Sequence, residues 1–245
     1  MKLIRKILYK ILGMKLFISL VSRIYLFLVN AGFLKSKYPE LFHLEKIVKP
    51  GFTSVDIGAN VGYYSFFMSK YSGKQGRVYA VEPIPLFAGI WKKNVRRTRI
   101  DNLTMLPYAL GGENKTVQMG IPERDGVLHH GMTKITSTAD EKYLKFFDVE
   151  MKIPDELFSQ IEKIDFIKCD VEGYEFFVFS NMLKTLEKQR PLIQTELSGK
   201  ENREKVFDLL VSKGFKPAIL KNGAFCSINK EDIFNYENDF YFLPE

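Results

Sequence analysis

Apolar positions along this chain follow two kinds of repeat. From Lys2 to Leu12 they recur as Leu3, Ile4, Ile7, Leu8, Ile11 and Leu12, the spacing of one helix face, with Lys2, Arg5, Lys6 and Lys10 on the other. Past Gly13 the stripe gives way to nearly continuous apolar sequence over Leu16–Val29, broken by Arg23. After residue 40 short apolar runs alternate with helical stretches. Lys49-Pro50-Gly51 is a loop, Thr53–Ile57 a buried strand, Tyr63–Tyr71 a helix and Arg77–Val81 a strand; Pro85–Arg97 is a helix opened by its proline, and Leu103–Ala109 a third strand. Between Gly111 and Pro154 the regularity fails, and glycines, threonines and prolines suggest hairpins and loops. It returns with a strand at Ile164–Asp170, a helix at Tyr174–Leu186, a strand at Pro191–Glu196 and a helix at Glu201–Lys213. Phe215–Leu220 and Asp239–Phe242 are candidate final strands. Strands and helices alternating at this spacing predict βαβ units, hence an α/β domain with a mostly parallel sheet. Without an internal repeat or a long linker, residues 46–245 read as one domain behind a helical extension at 1–45.

Composition narrows the class. Hydrophobic residues at 46% and charged residues at 27% of 245 are globular values, which excludes a disordered chain. Two cysteines, Cys169 and Cys226, lack the C-x-x-C spacing and are too few for a disulfide framework, which fits a reducing, cytoplasmic setting. Three histidines give no zinc-site spacing, so no metal is expected from them.

Charge changes the picture more. The first 39 residues carry +8 and no acid before Glu40, whereas the remaining 206 carry −1. The basic character belongs to the amino-terminal segment, and a nucleic-acid partner is not expected of the domain. The Lys92-Lys93…Arg96-Arg97…Arg99 cluster after Trp91 reads as a solvated helix face. A spanning helix needs about 20 apolar residues. The longest charge-free run, Ile24–Leu34, has 11, and Arg23 would sit near the bilayer centre. No A-x-A-like cleavage site follows. Two readings stay open for residues 2–30: a basic amphipathic helix on an anionic membrane surface, peripheral at the inner face, or helices that cover the domain with their lysines in water.

The candidate chemistry begins at Val55-Asp56-Ile57-Gly58-Ala59-Asn60-Val61-Gly62-Tyr63-Tyr64-Ser65, where a strand runs into an acid, a glycine loop and a helix start. Gly58 and Gly62 permit a tight turn and close approach to a ligand. Twenty residues beyond Gly62, Glu82 stands at the next strand end, where a carboxylate can hold both hydroxyls of a ribose. The loop lacks the G-x-G-x-x-G of dinucleotide sites, and the carboxylate of Asp56 suits a cationic ligand over a pyrophosphate. S-adenosylmethionine offers a ribose, an ammonium and a sulfonium without phosphate. A second motif, Ile164-Asp165-Phe166-Ile167-Lys168-Cys169-Asp170-Val171-Glu172-Gly173-Tyr174-Glu175, ends a strand at Asp170 and should direct Asp170 and Glu172 into the same crevice. Lys168 and Asp170, two apart, share a strand face.

In order and interval, V-D-I-G-A-N-V-G-Y-Y-S, V-Y-A-V-E-P, L-P-Y-A-L-G and D-F-I-K-C-D-V-E-G-Y-E closely resemble the FkbM family of S-adenosylmethionine-dependent methyltransferases, over roughly residues 50–200. The resemblance implies a Rossmann-like class I fold, seven-stranded with an antiparallel last strand and helices on both faces. It also implies O-methylation of a sugar, glycan or related small-molecule hydroxyl. By position, Asp56, Gly58, Asn60 and Gly62 would line the cofactor's methionine end, Glu82 would hold its ribose, and Asp170 would stand beside the transferred methyl. Thr195-Glu196-Leu197 matches the family's acidic strand end, with Ser198 where a histidine is frequent, and Cys169 takes a position more usually aliphatic. For the general base, Asp170 or Glu172 is favoured by position; Glu196, His129 and His130 are further candidates. Against these roles, Glu172 can cap the following helix and Asp170 can pair with Lys168. The rival functions are an RNA methyltransferase, disfavoured because no N-P-P-Y or D-P-P-Y follows the fourth strand, and a binding protein that keeps the fold without turnover.

Overall fold

A computed structural model describes residues 2–124, 127–128, 134–135 and 143–245, with side chains described for 7–122 and 145–245. The chain begins with helices α1 (Lys2–Asn30) and α2 (Pro39–Ile47). It continues through β1 (Thr53–Ile57), α3 (Tyr63–Ser72), β2 (Arg77–Val81), α4 (Pro85–Val95) and β3 (Leu103–Leu106). Next come β4 (Ala109–Leu110), β5 (Lys115–Arg124), β6 (Val127–Leu128), β7 (Lys134–Ile135), β8 (Tyr143–Lys152) and α5 (Pro154–Leu157). The last part holds β9 (Phe166–Cys169), α6 (Glu175–Ser180), α7 (Leu183–Gln189), β10 (Leu192–Thr195), α8 (Lys200–Ser212), β11 (Phe215–Lys221), β12 (Ala224–Ser227) and β13 (Phe240–Pro244).

Eight strands form the central sheet in the order β12-β11-β13-β10-β9-β1-β2-β3. β1 runs parallel to β2 and β9, and β10 parallel to β9; the β1–β2 and β9–β10 connections each cross through helices. β13 runs antiparallel between β10 and β11. This is the expected seven-stranded, class I methyltransferase sheet with its antiparallel last strand, plus an eighth strand, β12, at the edge. The two-residue loop Asn222-Gly223, both at positive φ, closes the β11–β12 hairpin.

Local chemistry moves several boundaries. The stretch Leu103–Ala109, read as one strand, is two: after Leu106 the chain turns at Pro107-Tyr108, and β4 joins a second sheet of order β4-β8-β5-β6, with β7 on β5. Most of the stretch read as hairpins and loops belongs to that sheet, whose long pair β5 and β8 runs antiparallel. The helix read over Tyr174–Leu186 breaks between α6 and α7, where the Asn181 side chain donates to the Phe177 carbonyl at 2.7 Å and ends α6. The helix begun at Pro85 stops at Val95 and tightens into a 3-10 turn over Arg96–Thr98, with Thr98 Oγ1 donating to the Val95 carbonyl at 2.9 Å.

α1 bends at Gly13 (φ 67°, ψ 165°), which a Cβ-free residue takes at little cost. One face is buried: Leu26 and Val29 pack with Leu44, Phe67 and Tyr241, while Phe17 and Ile18 pack with Ile84, Phe87 and Ile121 of the second sheet. Asn94 of α4 donates to Ser22 Oγ at 3.0 Å, and Lys70 donates to Asn30 Oδ1 at 2.8 Å. By length and composition Ile7–Asn30 is also sufficient to cross a membrane, beyond what its charge-free runs suggested. On the opposite sheet face, Val178, Phe179, Leu186, Val206 and Leu210 close the main core over Ile167 and Ile193.

Candidate active site

Strand register builds the site. Ile57 is aligned with Val81 on one side and Cys169 on the other, Cys169 with Thr195, and Thr195 with Phe240. The residues one step beyond these positions therefore stand side by side along the sheet's edge: Glu82, Gly58, Asp170, Glu196 and, from the antiparallel strand, Asp239. Backbone bonds carry the ladder that one step further, with Asp170 N–H donating to the Ile57 carbonyl at 3.0 Å and Glu196 N–H to the Cys169 carbonyl at 3.2 Å. The row holds four carboxylates and one glycine. The glycine is required: a Cβ on Gly58, at φ +82°, would lie 1.9 Å from the Asp170 carbonyl oxygen.

A cavity of about 210 Å³ lies over the Glu82–Gly58–Asp170 end. Asn60, Asp170 and Glu172 supply polar surface to it and Ile84, Phe87, Leu110 and Met119 apolar surface; among the described residues no lysine, arginine or histidine lines it. Glu82 is 5% exposed; its Oε1 accepts from Ile84 N–H at 2.7 Å and its Oε2 from Asn60 N–H at 2.9 Å. Burial nonetheless pushes its carboxyl up to about 7. Both oxygens keep a lone pair for a ligand hydroxyl. Carboxylates, a glycine-cleared floor and an apolar slot fit an adenosyl sulfonium and oppose a pyrophosphate.

Asp56 and Gly62 are placed behind the loop, away from the cleft surface. Asp56 is 2% exposed and accepts a short hydrogen bond from Ser65, whose Oγ accepts from the Trp91 indole N–H at 2.8 Å. Burial raises the Asp56 carboxyl to about 6. A Cβ on Gly62 would meet Trp91 Cδ1 at 2.7 Å, so this glycine lets α4 close on the loop. Trp91 therefore belongs to the support of the loop, while Lys92, Lys93, Arg96 and Arg97 beside it are exposed.

The second motif folds around its last residue, Glu175, to which the sequence reading gave no role. Glu175, buried at the start of α6, accepts from Val171 N–H at 2.9 Å and Gly173 N–H at 3.1 Å through Oε1, and from Asn202 Nδ2 at 2.6 Å through Oε2. It pins the loop in which Glu172 (φ 57°) and Gly173 (φ 94°) are left-handed. The loop points Glu172 to the cofactor-side cavity. An acid at the first helical position, two and four residues after backbone donors, is the signal that could have found it. Cys169 is fully buried in the main core, where burial raises its thiol well above the usual value.

Beyond Asp170 lies a second chamber of about 460 Å³, and Asp170 lines both. Glu196, Asp239 and Lys168 continue its floor, and Tyr25, Tyr38 and Tyr63 form a wall from three separate elements. The Tyr25 ring lies 5.1 Å from Tyr38 and 4.3 Å from Tyr63. Lys168 is 2% exposed, with Nζ 3.3 Å from Asp239 Oδ2 and 5.2 Å from the Tyr64 ring centre. The Asp239 contact is an ion pair outside hydrogen-bond geometry, which leaves the ammonium's donors unspent. Asp239 Oδ2 also accepts from Gln194 Nε2 at 2.6 Å. Burial alone would lower the lysine, but Asp239, Asp170 and Glu196 together hold it above its usual value, so it stays a fixed cation. Burial, then the neighbouring Asp170 charge, raises Glu196 to about 7. Asp170 is raised by burial, with Lys168 opposing. His129 and His130 lie outside the described residues. Among the described residues no group of three or more histidine, cysteine or acidic side chains is arranged for a metal ion.

Comparison with known proteins gives the same site a context. The family description "Methyltransferase FkbM domain" matches residues 56–217. A protein-L-isoaspartate O-methyltransferase of Methanococcoides burtonii is 32% identical over 59 residues, 24% of this chain and 29% of that protein. A counterpart from Methanothrix thermoacetophila is 30% identical over 59 residues, 24% of this chain and 28% of its own. The chain thus spans under a third of the length of these curated relatives. Among solved structures, methyltransferase FkbM from Methylobacillus flagellatus KT gives a TM-score of 0.49 at 15% identity, covering 80% of this chain and 48% of that one.

Proposed function

This chain belongs to the FkbM family of S-adenosylmethionine-dependent methyltransferases, and from that premise we propose that it methylates a hydroxyl of a sugar-like acceptor held in the tyrosine-walled chamber. One observation carries the reading: Asp170 forms the shared wall of a cofactor-sized cleft and a second polar chamber, so two ligands can meet at its carboxylate.

In the cleft Glu82 would hold the ribose, the slot of Ile84, Phe87, Leu110 and Met119 the adenine, and Gly58, Asn60 and Asp170 the methionine end. Bound there, S-adenosylmethionine supplies an activated methyl group whose leaving group is a neutral thioether. The protein's share is alignment and proton removal. Tyrosine faces and paired carboxylates suit the C–H faces and vicinal hydroxyls of a sugar ring. Lys168 donates to an acceptor oxygen and fixes the hydroxyl near Asp170. The hydroxyl proton passes to Glu196, whose value near neutrality suits a general base, or to Asp170. Glu172, on the cofactor side, is left with a positioning role. A polyanionic acceptor such as RNA would face Glu40, Asp170, Glu196, Glu237 and Asp239 against Lys37 and Lys168, which disfavours it.

The test is transfer of labelled methyl from S-adenosylmethionine to a panel of free and linked sugars, with Asp170→Asn alongside. At saturating cofactor the variant should lose turnover by at least about 100-fold, far more than it loses in cofactor affinity by calorimetry. An unchanged kcat would remove Asp170 from the reaction.

A further inference from the structure

The outward face of α1 is apolar where a solvated helix would be polar. Ile11 is 73% and Phe27 66% exposed, and Leu16, Leu20 and Ile24 continue the stripe along the helix. Lys10, Lys15 and Arg23 are exposed on the same helix, which has no acid. α4, on which α1 packs through Asn94 and Ser22, and the 3-10 turn that follows it carry exposed Lys92, Lys93, Arg96 and Arg97 and likewise no acid. An apolar stripe this long with basic flanks calls for an occupant that is apolar in depth and anionic at its surface.

We propose that α1 lies in the plane of an anionic lipid bilayer, its outer face sunk into the headgroup boundary and its inner face remaining on the domain. Docking disfavours spanning: Phe17, Ile18, Ser22, Leu26 and Val29 are buried against the protein, and lipid cannot surround a helix so held. A second copy is disfavoured because it would bring two acid-free, +8 segments together. Arg23, between Leu20 and Ile24, reaches headgroup phosphate by extending its stem. Tyr25 of the same helix walls the polar chamber, so docking sets that chamber beside the headgroups. Resting on the function proposed above, this makes the acceptor a membrane-borne, hydroxylated headgroup; the docking itself does not depend on that reading.

Sedimentation of the full chain with phosphatidylcholine vesicles containing or lacking phosphatidylglycerol tests it. Binding should require phosphatidylglycerol, weaken as salt rises, and reverse in alkaline carbonate. Leu20→Glu with Ile24→Glu should cut the partition at least about 10-fold, and each of Lys92→Ser, Lys93→Ser, Arg96→Ser and Arg97→Ser by about 5-fold. Should the glutamate pair fail to fold, the wild-type dependence on phosphatidylglycerol and salt decides. Overturning results are no binding to phosphatidylglycerol vesicles at low salt, binding that resists carbonate, or a dimer in solution that the Leu20 and Ile24 variants dissociate. Methyl transfer to free sugars with failed sedimentation would overturn only the membrane; sedimentation without any transfer would leave the docking and sink the function.

Discussion

A methyl group at Gly58 has no room, and this single contact ties two strand tips together. Gly58→Ala forces a Cβ against the Asp170 carbonyl at a left-handed φ, so β1 and β9 must part where the cofactor would lie. The strained backbone alone costs roughly 1–2 kcal/mol, and the displaced Asp170 adds to it. The variant is expected to melt several degrees lower and to lose S-adenosylmethionine binding in calorimetry; wild-type affinity would contradict the role given to the turn. At Glu196 the prediction concerns pH. Held near 7, it is a competent base only once ionised, so kcat should climb through about pH 7 to a plateau. Glu196→Gln should flatten that limb and lower the plateau by about 100-fold. A limb that stays in place would move the proton to Asp170. Glu82, Gly58 and Asp170 were legible in the sequence because each follows a short apolar run at a predictable strand end. Asp239 was not, because its partners Lys168 and Gln194 are 71 and 45 residues away in the chain and only the sheet brings them together.

Among the elements, the short loop before α6 depends on a side chain that touches neither cavity. Glu175 satisfies two loop N–H groups, and without it those donors are left in a poorly hydrated site. Glu175→Ala should cost about 2–3 kcal/mol in chemical denaturation and weaken cofactor binding, because Glu172 and Gly173 lose the anchor for their left-handed turn. Glu175→Gln, which keeps an acceptor, should recover most of the loss. The strands β1, β2, β9 and β10 were legible because alternating βα punctuation is local. The β12 hairpin announced itself as Asn222-Gly223 between strand-like flanks and went unread. The split between α6 and α7 was hidden, because a helix-compatible apolar pattern continues past Asn181 and only a side-chain bond ends it. The second sheet was only half legible: glycines and prolines signal hairpins there, and β5 does pair antiparallel with β6 and β8, but strands of ten residues are specified by pairing with each other, which composition does not show.

For the whole molecule, the strand tips and the support behind them gather buried carboxyls that are costly to ionise. Asp56 near 6 and Glu82 near 7 stand above the roughly 4 of an unfolded chain. Each binds its proton more tightly when folded, so its contribution to stability is full below about pH 4 and is lost as pH rises through 6 and 7. Scanning calorimetry of the ligand-free protein should show the wild-type Tm falling relative to Glu82→Gln between about pH 5 and 8; parallel curves would mean that Glu82 is not raised. The fold thus trades stability at neutral pH for a cleft that attracts a sulfonium. The account stands or falls on the row of strand tips, and a crystal structure with S-adenosylhomocysteine tests it most directly. It should place the ribose hydroxyls on Glu82 and the sulfur beside Asp170, facing the chamber of Lys168 and Glu196. A ribose bound away from Glu82, or a ligand lodged among Tyr25, Tyr38 and Lys168, would contradict it.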